Sequence, residues 1–301
     1  MIISLTFLYI INPNFTKLIL KKMNLIKFWI LIVIMSHYTL ISYNVDGYNA
    51  EIHSYISSLL ASKPDVVFLS ETKKKREDLI AYFDTFTEYN YIINAHEPAR
   101  YHGVIMLIRK DHVYEQLNVN LAISCRKDSK SQDAAVGRII TIKLNNVLNI
   151  IGSYTPNSGR GGEPDKFDYR VKVWDPAFAY ILEILRNSGH TLWMGDINVA
   201  LNDIDVSSPK TMKVWAGFRP EERANLNALL SSGKFIDIWR RQNPDKREYT
   251  WLGYPHRNNY GMRLDNVIVS ESLVPYMLNS FILTPSPPHS DHAPVGAYIM
   301  K

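Results

Sequence analysis

Beyond residue 35 the chain is built from short apolar runs that break abruptly at polar residues. Runs rich in β-branched and aromatic residues predict strands over Tyr38–Asn44, Asp65–Ser70, Gly103–Arg109, Val136–Leu144, Val147–Tyr154, Thr191–Asp196, Tyr249–Leu252, Leu264–Ser270 and Val295–Ile299. Ile52, Ile56, Leu59 and Leu60 recur at helical spacing, as do Phe167, Val171, Trp174, Phe178, Ile181 and Leu185. Each set makes one apolar stripe, which predicts two amphipathic helices whose aromatic residues belong to the core. Many strands covered by a few helices imply an α/β fold: a four-layered sandwich, two β-sheets packed face to face and flanked by helices, over residues 35–301. No internal repeat or low-complexity linker divides it.

Several of these runs end on residues that an apolar core would not select. "ISYNVDG" places Asn44 and Asp46 two apart, "VVFLSET" reaches Glu71, and "LWMGDIN" supplies Asp196 and Asn198. "MRLDNVIVS" carries Asp265, and "PPHSDHAP" carries Asp291 beside His292. Strand side chains alternate between faces, so residues two apart project together from a strand end. Taken singly, each segment has an ordinary reading: a Gly-Asp turn at 195–196, a turn or helix cap at Ser290, or an ion pair between Asp265 and Arg263. Meeting at one edge of the sandwich, they would form a pocket of carboxylates that requires a cation or a proton to offset their repulsion.

An all-oxygen donor set selects a hard ion, Mg²⁺ with Mn²⁺ as a substitute, over zinc. Such an ion suits phosphoryl chemistry, where it neutralises charge on the phosphate and on the leaving group. Asp196, flanked by the Asn198 carboxamide, is equipped to orient and deprotonate a water. His292 is placed to meet the phosphate as imidazolium, with Asp265 holding its ring. The residues thus point to metal-assisted phosphoester hydrolysis.

Composition narrows the setting. The 301 residues, 46% hydrophobic and 21% charged, suit a globular chain with a full core. The formal charge of +5 suggests nucleic acid, but residues 1–34 hold Lys17, Lys21, Lys22, Lys27 and no acid, leaving about +1 for the remainder. Attraction to DNA must therefore come from local patches. Lys73-Lys74-Lys75-Arg76 is one candidate, with a solvated helix start as its plain alternative. The lone Cys125 excludes an internal disulfide framework and thiolate metal sites. The apolar, basic segment 1–34, with "FWILIVIM" at 28–35, is short for a membrane span. It is read equally as a signal peptide lacking a clear cleavage pattern, a presequence lacking arginine, or an extension upstream of a start at Met35. Localisation stays open between these.

The same residues, in the same order, resemble the endonuclease/exonuclease/phosphatase superfamily and, within it, the exonuclease III-type AP endonucleases. The motifs are "NVDG", "SYTPNSGRGG", "DYRVKVWDPAF", "GDINVALNDIDVSSPK", "AGFRPEER", "RLD" and "SDHAP", spread from Thr39 to Lys301. The glycine-rich loop and the "AGFRPEER" segment resemble the abasic-site branch rather than the lipid or inositol phosphatases. The resemblance implies that Asp46 and Glu71 are the principal metal ligands, with Asn44 and Asp291 close to the ion. It implies that Asp196 and Asn198 position the attacking water and that Asp265 and His292 form a dyad at the phosphate. Tyr154 and Asn157 would line the cleavage centre, Arg160 and Lys73 would reach DNA, and Trp251, Met262 and Leu264 would form an apolar slot for a base-less sugar. Ordinary core packing is the alternative reading of those three.

The sequence departs from the family pattern at Ser70 (where Gln is common), Asn49 (Arg) and Met262 (Trp), and in a shorter "GYPHRNNYG". These bear on substrate preference more than on catalysis. The expected activity is Mg²⁺-dependent cleavage of double-stranded DNA 5′ to an abasic site, by a monomer, with 3′-phosphodiesterase or 3′→5′ exonuclease activity alongside. Two rivals are a secreted nonspecific deoxyribonuclease or lipid phosphodiesterase on the same scaffold, and a DNA-binding protein with a dead site.

Overall fold

The computed structural model describes residues 37–96, 99, 101–119, 121, 134–159, 163–253, 260–284 and 290–301. The segment 1–34 and Cys125 lie outside them. Two six-stranded mixed sheets face each other. The first has the order β11-β12-β1-β2-β4-β3, from β1 (His37–Asn44), β2 (Val66–Ser70), β3 (Tyr89–Asn94), β4 (Val104–Arg109), β11 (Met277–Ile282) and β12 (Val295–Met300). The second has the order β5-β6-β7-β8-β10-β9, from β5 (Tyr114–Gln116), β6 (Ile139–Leu144), β7 (Leu148–Tyr154), β8 (His190–Asp196), β9 (Phe235–Asp237) and β10 (Asp265–Ser270).

Alternation along the strands builds three apolar layers. Leu40, Phe68, Met106, Ile142, Leu192, Met194, Val267 and Val269 fill the space between the sheets. On the outer face of the first sheet, Ile41, Tyr43, Val67 and Leu69 meet Ile52, Ile56 and Leu60 of helix α1 (Ala50–Leu60) and Leu79 and Phe83 of α2 (Arg76–Phe83). On the outer face of the second, Ile151, Trp193 and Ile268 pack against Trp174, Phe178, Leu182 and Leu185. The expected four-layered arrangement is therefore what forms. No described helix is long and apolar enough to cross a membrane.

Three local expectations differ. Tyr249–Leu252 is not a strand; only Trp251 bridges, to Met262 and to His292. Strands β3, β5, β9 and β11 are additional, and all four are sheet edges, where burial is less complete and the apolar pattern is diluted. The second predicted helix is not continuous: α3 (Pro164–Asp168) passes through a π-helical stretch, Tyr169–Trp174, into α4 (Asp175–Ser188). The remaining helices are α5 (Pro209–Met212), α6 (Pro220–Ser231) and α7 (Ile238–Gln242). The basic run takes its plainer reading in part, since Lys75 occupies the N-cap position of α2, with no side-chain capping bond, and Arg76 begins the helix.

Candidate active site

Parallel strands deliver their last residues to the same end, and each sheet has one parallel pair at its centre. In the first sheet β1 and β2 pair Asn44 with Ser70, so Asp46 and Glu71 follow side by side. In the second, β7 and β8 pair Tyr154 with Asp196, while antiparallel β10 sets Asp265 opposite Asp196. Face-to-face packing then brings the two rims together. Asn44 Nδ2 donates to Glu71 Oε1 at 2.9 Å and to Asp196 Oδ2 at 3.0 Å, and lies 3.4 Å from His292 Nε2.

The backbone around these residues is held in an uncommon conformation. Asp46, Glu71, Lys73 and Asn198 all have positive φ, between 45° and 54°. Such geometry in non-glycine residues stores strain that neighbouring contacts must hold. Gly47 N to Glu71 O (2.8 Å), Tyr48 N to Thr72 O (2.8 Å) and Lys73 N to His102 O (2.9 Å) lock the first pair of loops. At Gly195, with φ 145°, a Cβ would overlap Ser153 O, so only glycine lets β8 run against β7 into Asp196.

Asp196 is buried. Its Oδ1 accepts from Asn198 N at 2.9 Å, and its Oδ2 accepts from Asn198 Nδ2 at 3.2 Å. Burial pushes its carboxyl up to about 8; Asp265 adds to the rise and His292 opposes it. His292 Nδ1 lies 2.7 Å from Asp265 Oδ2. Burial alone would draw that imidazole down, but Asp265, then Asp196 and Asp291, hold it well above the ordinary histidine range. Asp265 does not pair with Arg263, whose buried guanidinium goes instead to Asp205 and Asp237. Asn157 Nδ2 donates to Asn198 Oδ1 at 3.1 Å. Burial holds the Tyr154 hydroxyl well above its usual range, with Glu71 adding to it.

Asp46 Oδ1 and Glu71 Oε2 converge on one cation, Lys73 Nζ, at 2.5 and 2.7 Å. Burial raises the Glu71 carboxyl, but Lys73 and the Asn44 amide outweigh it and hold it below the usual range. Asp291 accepts from Trp251 Nε1 at 2.8 Å; burial raises its carboxyl against the pull of His292. Among the described residues, Asp196, Asp265 and His292 bring one donor atom each within 4.8 Å of one another, and Asp265 Oδ1 is buried without a hydrogen-bond partner. Oxygen donors gathered around a lysine ammonium, beside an unsatisfied carboxylate oxygen, are a set that a hard divalent ion fits.

The expected site residues Asn44, Asp46, Glu71, Tyr154, Asn157, Asp196, Asn198, Asp265, Asp291 and His292 are thus brought together. Lys73 joins them as a partner of the acids rather than a free surface cation. Arg160 lies outside the described residues, as does much of "GYPHRNNYG". Met262 and Leu264 are buried with Ala200, Val206, Met212 and Phe218, and Trp251, Trp215 and Tyr260 pack on this cluster. Asn49 has its own use: its side chain caps α1 by accepting from Glu51 N and Ile52 N, a role arginine would not fill. The buried Ser70 hydroxyl has no partner. One residue escaped the sequence reading, Arg170, which stands behind the Asn157 and Asn198 loops; its only signal was a charge inside an apolar helical stripe.

Comparison with known proteins agrees with this geometry. Residues 41–292 match the Endonuclease/Exonuclease/phosphatase family. A DNA-(apurinic or apyrimidinic site) endonuclease of Dictyostelium discoideum is 32% identical, over 86% of this chain and 70% of that protein. The DNA repair nuclease APEX1 of Danio rerio is 33% identical, over 86% and 81%. An exodeoxyribonuclease of Bacillus subtilis is 32% identical, over 86% and 98%. Among solved structures, an AP endonuclease from Archaeoglobus fulgidus shares the fold with a TM-score of 0.73 at 22% identity, over 87% of this chain and 99% of that one. With the family's match spanning both sheets and every acid of the pocket, the chain belongs to the Endonuclease/Exonuclease/phosphatase family.

Proposed function

We propose that this chain is a Mg²⁺-dependent nuclease that hydrolyses the DNA phosphodiester 5′ to an abasic site, leaving a 3′-hydroxyl. The observation that carries the reading is the juxtaposition of two chemically distinct halves: the Asp46–Glu71 pair around a cation, and the Asp196–His292–Asp265 group, joined to it through the Asn44 amide. The names of the relatives at 32–33% identity support DNA as substrate and abasic sites as its mark.

Asp46 and Glu71 would hold the divalent ion, with Asn44 and Asp291 beside it. When bound, that ion supplies charge neutralisation at the phosphate and at the departing oxygen. The rest falls to the chain's own side chains. Asp196, with both oxygens held by Asn198 and Asn44, orients a water and takes its proton as the water oxygen forms its bond to phosphorus. The P–O3′ bond breaks, and the departing 3′ oxygen takes a proton from solvent to become the 3′-hydroxyl. His292, held protonated by Asp265, and the Asn157 amide stabilise charge on the phosphate oxygens. The cluster around Met262 and Leu264, adjoining the site through Trp251, offers an apolar wall to a sugar without its base.

The test is residues 35–301 acting on matched duplexes with and without one synthetic abasic site, with Mg²⁺ or a chelator. Mg²⁺-dependent cuts confined to the abasic duplex are expected. Equal cutting of both duplexes removes the abasic assignment while keeping a nuclease, and chelator-resistant cutting removes the metal.

A further inference from the structure

We infer that Arg170 is a positioning residue for the hydrolytic centre, setting the Asn157 and Asn198 loops from behind without touching substrate; this rests on the function proposed above. Its placement originates in the π-helical stretch Tyr169–Trp174. A π turn inserts an extra residue into a helix and rotates the turns beyond it, and such insertions recur at functional sites. Within this stretch Arg170 and Trp174 face inward, both almost fully buried.

A buried guanidinium must place its donors. Arg170 spends them on two loops at once. Nη1 donates to Pro156 O at 2.9 Å and to Asn198 O at 3.3 Å, and Nη2 to Ile197 O at 3.0 Å. Nε donates to Asp175 Oδ1 at 2.6 Å, at the start of α4. These carbonyls belong to the residue before Asn157, the residue before Asn198, and Asn198 itself. The guanidinium therefore fixes the spacing between the loops that carry the two carboxamides, which join each other at 3.1 Å.

The consequence reaches Asp196 through Asn198. Asn198 is held at φ 51°, and from that strained position its backbone N–H and its side-chain amide each reach a different oxygen of Asp196. Releasing the Ile197 and Asn198 carbonyls would let the strain relax and turn the carboxylate away. The anchor is itself anchored: Asp175 Oδ2 accepts from Asn225 Nδ2 at 3.1 Å, and buried Glu222 accepts from Gly217 N and Arg219 N, while Gly217 O receives Ala200 N from the same loop. Lysine could not replace the planar fork, because one ammonium cannot span both loops.

The experiment is a double-mutant cycle of Arg170→Met with Asn198→Ala, measured as single-turnover rate and as DNA affinity in chelator. Arg170→Met should lower the rate about 10²-fold, the usual cost of an ångström-scale misplacement of reacting groups. DNA affinity should change by less than about twofold, and Arg170→Lys should recover only part of the rate. In the Asn198→Ala background the same change should cost less than about threefold, because its route is already cut. A residue that merely supports the fold would lower the active fraction equally in both backgrounds. Losses that multiply, or a loss appearing in DNA affinity, overturn the inference. Where Arg170→Met does not fold, Arg170→Lys carries the cycle, and a near-normal rate for it also overturns the inference. The wild-type chain is run on abasic and intact duplexes in the same series, and the cycle uses whichever it cuts faster. A missing abasic preference then counts against the proposed substrate, and only the cycle counts against Arg170.

Discussion

Among the described residues, two buried histidine–carboxylate pairs lie at opposite ends of the parallel strands β1 and β2. At the far end, Asp65 Oδ1 lies 2.5 Å from His112 Nε2, 2.8 Å from Arg109 Nη2 and 3.5 Å from Lys301 Nζ, while Oδ2 accepts from Thr39 N at 2.7 Å. His112 Nδ1 in turn faces Asn145 Nδ2 at 3.1 Å. Asp111, more exposed, also meets Arg109 Nε at 2.8 Å and His112 Nε2 at 3.4 Å, so two acids there share two cations and a histidine. At the near end the balance reverses: Asp46, Glu71, Asp196, Asp265 and Asp291 share one lysine and one histidine, and Asp265 Oδ1 has no partner. The pair itself is the same chemistry in both places. What separates a structural pair from a reactive one is whether the groups around it leave charge uncompensated.

The largest effect should come from Asp196, whose carboxyl is pushed up to about 8 by burial and then by Asp265. Asp196→Asn keeps the size and one accepting oxygen but loses the acceptor that Oδ2 offers to Asn44 Nδ2 and Asn198 Nδ2, and it cannot take a proton, so turnover should fall about 10³-fold or more while DNA affinity in chelator stays near wild type. A loss below tenfold would remove Asp196 from the water-activating role. The two histidines give the direct contrast. His292→Asn should cost about 10² in turnover and lower stability as well, because it leaves Asp265 and Asp196 without their shared cation. His112→Asn should leave turnover unchanged and cost about 1–3 kcal/mol of stability, since it leaves Asp65 and Asn145 with altered partners. If His112→Asn were the variant that lost activity at unchanged melting temperature, the comparison would be reversed.

Both ends were partly legible in the sequence, for unequal reasons. The near-end acids stood out because Asn44, Glu71, Asp196 and Asp265 terminate or start apolar runs, where burial is unexpected for such residues. The far-end Asp65 also begins an apolar run, yet its neighbours Arg109, His112 and Lys301 are scattered along the chain and are joined only by strand pairing. The two-sheet architecture was legible from the central strands, which are apolar on both faces; edge strands such as Met277–Ile282 were not, because burial along that strand is mostly partial and the polar Asn279 and Ser280 interrupt its apolar pattern. Tyr249–Leu252 has strand composition, but its backbone is spent on clipping Met262 to Asp291 and Ala293. Arg170 was hidden most completely, since it shares the stripe of Phe167, Trp174 and Phe178, and nothing in that spacing tells which buried carbonyls a charge among them would meet.

The imbalance should also appear as a pH dependence of stability in the metal-free protein. Asp196 is raised from 3.8 to about 8, so the folded chain holds that proton more tightly than the unfolded chain. Its contribution is complete below the lower value and is lost as pH climbs to the upper one. His292 is raised too, so its contribution is present below about 6.5 and is lost as pH rises through its folded value. Both push the same way: melting temperature in chelator should fall as pH rises from about 6 to 9. Asp196→Asn should flatten most of that slope, and an unchanged slope would place the proton elsewhere.

The smallest effect is expected at Lys73, and it tests where the compensating charge belongs. Its ammonium sits between Asp46 and Glu71, so a divalent ion that uses both carboxylates must displace it. The side chain is about one-third exposed, which gives the ammonium somewhere to go and weakens its hold through solvent screening. Lys73→Met should therefore tighten Mn²⁺ binding only about tenfold, well under the several kcal/mol that an immobile like charge at that distance would cost. The metal-free variant should melt lower than wild type, with the difference recovered on adding the ion, because Asp46 and Glu71 then face each other uncompensated. Calorimetric titration with Mn²⁺ reads the first and thermal melting the second. Unchanged affinity together with unchanged melting would mean that the ion does not enter between these two acids, and would shift it to the group formed by Asp196, Asp265 and His292.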